Sequence, residues 1–236
     1  YRSFQVFLDA CVKCGSCTDK CHYFIGTQDP KNMPVGRQDL LRKVYRYFTF
    51  AGKYFPKLVG AEDLTEEVID DWYSYFHQCS QCRRCSVFCP YGIDTAEISM
   101  AAREILDSIG VGQKYCNEII GKVHKIGNNL GLPGPAIEDT LEGLEEDVWD
   151  EDEVAVKYPL DVKGADILLV TPSADFFAEP HVDGLIGYGK VFHEAGVSWT
   201  LSTTASEAGN FGMFIGSYEN MRLSLIHISE PTRRLA

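Results

Sequence analysis

Residues 11–21 read CVKCGSCTDKC, and residues 79–90 read CSQCRRCSVFCP. Eight of the nine cysteines lie in these two stretches, each with the spacing C-x2-C-x2-C-x3-C. A tight loop with a cysteine at every third residue presents three thiolates inward, and the fourth follows after a longer gap. Bacterial ferredoxins hold [4Fe–4S] clusters with this spacing, and in two-cluster ferredoxins the fourth cysteine of each run ligates the other cluster. The expected ligand sets are Cys11, Cys14, Cys17 and Cys89 for one cluster, and Cys79, Cys82, Cys85 and Cys21 for the other. Two [4Fe–4S] clusters make the chain an electron carrier.

Two other uses of these cysteines fit less well. Structural zinc is usually held by two C-x2-C pairs with a long spacer between them, unlike four cysteines within one short run. Disulfides are disfavoured because cysteines three apart are poorly placed to bridge one another. Dense thiolate ligands point instead to a reducing compartment, hence the cytoplasm. The runs differ at one place: the second ends in Cys89-Pro90, the first in Cys21-His22. Proline there fixes φ and removes an amide donor. His22 has two readings, as a hydrogen-bond donor to a cluster sulfur or as a plain surface histidine.

The 57 residues between the runs read as helical. From Gly36 to Phe48, residues Leu40, Leu41, Val44, Tyr47 and Phe48 recur at spacings of three and four. Thr65 caps a second expected helix, with Glu66 and Glu67 in its first turn and Val68, Ile69, Trp72, Tyr73 and Phe76 behind them. Asp94-Thr95-Ala96-Glu97 reads as a capping box opening a helix to about Ser108, and another runs from about Gly112 to Leu130. The fold class is therefore mainly α: an α-helical ferredoxin-like module over residues 1–130, with clusters wedged between helices.

Glycines and prolines between Gly127 and Pro135 mark a hinge, followed by ten acidic and no basic residues from Glu138 to Glu153. Residues 131–164 are accordingly expected to be linker. Six basic residues lie between Arg37 and Lys57 with Asp39 as the single acid. These opposed runs read either as solvated surface or as an electrostatic docking pair. A net charge of −12 argues against nucleic acid as a partner. No run approaches the roughly 18 apolar residues of a membrane-spanning helix. Beyond the hinge, Ala165–Thr171 reads as a buried strand, Glu179–Ala195 as a helix and Val197–Leu201 as a second strand. This makes residues 165–222 the first β-α-β unit of an incomplete α/β domain. Residues 223–236, LSLIHISEPTRRLA, resemble translated sequencing-adapter read-through and are expected to be an artefact.

The segments CVKCGSCTDKCHYFIGTQDPKNMPVGRQ (11–38), HQCSQCRRCSVFCPYGIDTAE (77–97), YCNEIIGKVHKIGNNLGLPGP (115–135) and VTPSADFFAEPHVDGLIGYGKVFH (170–193) carry a specific resemblance. They are similar to the heterodisulfide-reductase-like iron–sulfur subunits of the membrane complex associated with dissimilatory sulfite reductase. The likeness covers residues 1–222. The cysteine runs alone are shared with iron–sulfur subunits of glycolate and glycerol-3-phosphate oxidoreductases, which is the alternative reading. The resemblance implies an oxidoreductase subunit on the cytoplasmic, inner face of the membrane, partnered by quinone-linked membrane subunits. It also implies a CCG-type α/β half that binds a catalytic cluster and acts on a small sulfur-carrier protein. This sequence departs from that pattern: it has no Cys-Cys pair and no cysteine after Cys116. No catalytic residue is therefore assigned.

Cys116 reads as a buried structural thiol. Lys13, Arg83 and Arg84 lie inside the cysteine loops, where positive charge favours a reduced cluster. Arg83 and Arg84 read equally as partners of surface acids. His77 is expected to pack beside the second run, while His124, His181 and His193 show no ligand spacing.

Overall fold

Three helices supply the frame of the first half of the chain, and each is bounded by a recognisable local signal. Pro34 opens the Pro34–Tyr47 helix at a position where a missing N–H is harmless. Thr65 caps the Glu66–His77 helix, its hydroxyl oxygen accepting from the Val68 N–H at 3.4 Å. Asp94 caps the Thr95–Ser108 helix, its Oδ1 accepting from the N–H groups of Ala96 and Glu97 at 3.0 and 3.3 Å. A fourth helix, Arg2–Ala10, precedes the first cysteine run and was not legible in the sequence.

This is a computed structural model, and it describes residues 2–176, 178, 180–204 and 209–222. The described chain is mostly helical. It divides into two compact units: Tyr1–Gln113 with Phe214–Ser217, and Lys114–Met213 with Tyr218–Ala236.

The first unit packs Leu8, Leu41, Val44, Val68, Trp72, Phe76, Ile98 and Leu106 into one core. Trp72 and Phe76 meet edge to face at 5.5 Å. Each such side chain removed from water contributes about 1.5–3 kcal/mol. Phe48, expected on the apolar face, instead lies past the last helical turn and is exposed. Its place on the helical wheel lost its meaning where the helix stopped, at Tyr47.

The second unit begins earlier than the expected boundary at residue 130, because the Lys114–Ile126 helix falls within it. The acidic stretch expected to be linker is a helix, Gly134–Asp152. Ile137, Leu141, Leu144 and Val148 recur along it at helical spacing and are buried, so the acids occupy the remaining faces. Counting charges hid this period. Strands Ile167–Leu168 and Trp199–Thr200 pair in parallel, with the His181–Ala195 helix between them. The expected β-α-β order is thus present, with strands of two residues each. Its core joins the acidic helix to Val156, Tyr158, Leu185, Trp199 and Leu201. Glu179 and the tail 223–236 lie outside the described residues.

Candidate metal centres

The two cysteine runs share a backbone device. In the first loop Lys13 and Gly15 have positive φ, at 58° and 81°; in the second, Gln81 and Arg83 do, at 58° and 57°. These are the residues just before and just after the second cysteine of each run. A left-handed residue at both places curls the loop around a point and turns successive N–H groups inward, the nest geometry that receives anions and iron–sulfur groups. For a residue with a Cβ this conformation costs about 1–2 kcal/mol, and Lys13, Gln81 and Arg83 all bear it.

Two small, partly open concave sites of similar size result. Cys11, Cys14, Cys17 and Cys89 line the first; Cys21, Cys79, Cys82 and Cys85 line the second. Cys85 also borders the first, so the two sites are neighbours. Each site thus mixes cysteines of both runs, five at the first and four at the second, with Cys85 shared between them.

All nine cysteines are free thiols. Burial pushes the Cys85 thiol up to about 11 and raises Cys17, whereas a hydrogen bond from Ser16 lowers the exposed Cys14. Buried thiols of this kind become thiolates when a metal coordinates them. Among the described residues no group of three or more Cys, His, Asp or Glu side chains is arranged to hold a single metal ion. In a cubane the four thiolates each ligate a different corner and stand further apart than ligands converging on one ion.

The charge around the second site points the same way. Arg37 is 2% exposed, and its guanidinium donates to the Tyr75 carbonyl (2.8 Å), Asn32 Oδ1 (2.7 Å) and Cys21 Sγ (3.6 Å). Among the described residues no carboxylate pairs with it, although a buried charge normally requires an opposite one. Four thiolates around an iron–sulfur core are net anionic and would supply it. Gln81 Nε2 donates to Cys79 Sγ at 3.7 Å, and buried Arg103 donates to the backbone carbonyls of Phe76 and Cys79, fixing the start of the second loop. Asp94 ties the far end of that loop to the Thr95–Ser108 helix, accepting from Ser86 Oγ at 2.7 Å and pairing with Arg83 at 3.7 Å. The donor set, nests and buried cations all fit [4Fe–4S] clusters.

The remaining sequence candidates have other partners. Lys13 pairs with Asp39 at 2.8 Å, Arg84 is exposed, and His22 Nε2 lies 3.4 Å from Ser80 Oγ. His77 Nδ1 is 2.9 Å from the Tyr73 carbonyl, and burial lowers its pKa. His124 meets Asn220 at 2.9 Å, His181 lies 3.6 Å from Asp175, and Cys116 is buried. Sequence reasoning missed Arg37, although it stands four residues before Leu41 and so shares the buried face of the Pro34–Tyr47 helix. That register was the available signal.

The comparisons with known proteins agree with this geometry. Residues 7–93 match the 4Fe–4S dicluster domain. The chain is 50% identical over 240 residues to the Hdr-like menaquinol oxidoreductase iron–sulfur subunit 2 of Archaeoglobus fulgidus, covering 99% of this chain and 43% of that protein. It is 47% identical over 239 residues to the Hdr-like menaquinol oxidoreductase iron–sulfur subunit of Archaeoglobus profundus, with the same coverage. A more distant relative is a subunit of the dihydromethanophenazine:CoB–CoM heterodisulfide reductase of Methanosarcina mazei, 29% identical over half of this chain and 29% of that protein. The chain thus spans 43% of the length of the two Archaeoglobus proteins. No solved structure matches it significantly. Among the described residues no helix is long and apolar enough to cross a membrane.

Proposed function

We propose that this chain is the electron-relay part of an Hdr-like menaquinol oxidoreductase, carrying electrons between a quinone-linked membrane complex and a heterodisulfide-reductase-type site. The observation that carries the reading is the pair of neighbouring cavities, the first lined by Cys11, Cys14, Cys17, Cys85 and Cys89 and the second by Cys21, Cys79, Cys82 and Cys85. Bound there, two [4Fe–4S] clusters supply one-electron oxidation and reduction without moving protons or substrate atoms. The protein's residues do the rest. The thiols of Cys11, Cys14, Cys17 and Cys89, and of Cys79, Cys82, Cys85 and Cys21, hold the groups side by side. The Pro34–Tyr47 and Thr95–Ser108 helices hold the loops, and their packed core limits rearrangement between oxidation states.

The finer assignment is to dissimilatory sulfur metabolism, with a small sulfur-carrier protein as the disulfide partner on the inner face of the membrane. Its support is the resemblance of residues 1–222 to subunits of the sulfite-reductase-associated complex. Thiol–disulfide chemistry is assigned to no residue here, since this sequence has no Cys-Cys pair and no cysteine beyond Cys116. The test is made in membranes that carry the native complex. A menaquinol analogue should bleach the cluster absorbance, and an oxidised carrier protein should restore it. Clusters inert to the quinol would overturn the relay; clusters that respond to quinol but not to the carrier would overturn only the sulfur assignment.

A further inference from the structure

We infer that Arg37 is a positioning residue that sets the potential of the cluster at Cys21, Cys79, Cys82 and Cys85 above that of its neighbour, making this site the resting place of the electron. The inference rests on the relay reading, and it starts from an asymmetry between two sites that are otherwise alike. At the first site the nearby cation is Lys13, which is 52% exposed and already paired with Asp39 at 2.8 Å. Water and the carboxylate both screen it. The second site is lined by Lys20 and Arg83, which pair with Asp19 and Asp94, and by Arg37, which is buried and without a carboxylate partner among the described residues, with Nη1 directed at Cys21 Sγ at 3.6 Å.

Adding an electron to a cluster adds one negative charge. A buried guanidinium beside a ligand sulfur stabilises that charge through a poorly screened field, and its hydrogen bond draws density from the sulfur; both effects raise the potential. Gln81 Nε2 on Cys79 Sγ adds a neutral hydrogen bond of the same sign. The donors recorded at the first site are uncharged: the Ser16 hydroxyl, 3.4 Å from Cys14 Sγ at the exposed rim, and the backbone N–H groups of Ser16 at Cys14 and Val35 at Cys17. The guanidinium is held from behind by Asn32 Oδ1 and the Tyr75 carbonyl, so its aim at Cys21 does not depend on the cluster.

The experiment is a redox titration of the cluster-loaded chain followed by EPR, comparing wild type with Arg37→Met, Arg37→Lys and Asn32→Asp, with iron and labile sulfide counted in each sample. Wild type should show two waves. Asn32→Asp keeps the arginine but places a carboxylate against it. It should lower the upper wave alone, reducing the ratio of reduced to oxidised cluster at a fixed potential by about tenfold, or 59 mV for a one-electron couple. Arg37→Met should do at least as much, and Arg37→Lys should recover most of the loss by restoring the charge. Should Arg37→Met fail to load iron, Asn32→Asp decides alone. Both waves unmoved in a fully loaded Asn32→Asp sample, or the lower wave moving instead, would overturn the inference. A wild type without labile sulfide would overturn the relay reading itself, and is told apart by the iron count.

Discussion

The two units of this protein solve the same problem by different means. The second closes its core mainly with hydrophobic side chains and buries no charged residue among those described: the apolar stripe of the Gly134–Asp152 helix packs on Tyr158, Leu185, Trp199 and Leu201. The first has an apolar core as well, but one side of it consists of two cysteine-lined cavities, three strained non-glycine residues and a buried arginine without a carboxylate among the described residues. An anionic group held there would give these features a common counter-charge. The difference teaches that a buried charge or a left-handed Lys, Gln or Arg can mark a cofactor site as plainly as its ligands do.

The largest effect that tests this contrast is metal removal. Stripping the protein with oxidant and chelator leaves Arg37 without its counter-charge, a loss of about 3–5 kcal/mol. Hydrogen exchange should then rise across residues 11–38 and 77–97, while residues 137–201 keep their protection. Equal loss in both regions would break the distinction. Next comes Leu141→Ala, which empties a site only 2% exposed and should cost about 3 kcal/mol. Protection should fall in the second unit, with the EPR signal of the reduced clusters unchanged.

A smaller effect is expected at Tyr158, whose hydroxyl is buried with no hydrogen-bond partner among the described residues. Tyr158→Phe should stabilise the second unit by about 1 kcal/mol. Burial pushes this phenol from 10.0 up to about 12, so the folded protein holds the proton more tightly than the unfolded chain. That contribution is complete below pH 10 and is lost as pH rises towards 12, so the variant should lack this alkaline decline in thermal melts. The smallest effect belongs to Arg83→Gly. Relief of the left-handed conformation, offset by glycine's greater unfolded entropy, should leave a net gain of about 0.5 kcal/mol in the denaturation midpoint.

The legibility of these features in the sequence follows their physical range. The helices bounded by Thr65 and Asp94 were readable because caps and apolar period are local, and the parallel β-α-β order because its apolar runs are short and punctuated. The Gly134–Asp152 helix was misread because its acids are more conspicuous than its four-residue stripe. At the metal centres, the spacing suggested the cysteine quartets, but not the environment around them. Arg37 lies 16 residues from Cys21, and only the packing of one helix on one loop brings guanidinium and sulfur together.

The central claim is that these eight cysteines hold two cubanes, and the direct test is iron and acid-labile sulfide per chain after anaerobic reconstitution, with EPR of the dithionite-reduced protein. About eight irons and eight sulfides are expected, with a signal broadened by two neighbouring reduced clusters. One or two zinc ions with no labile sulfide would contradict it.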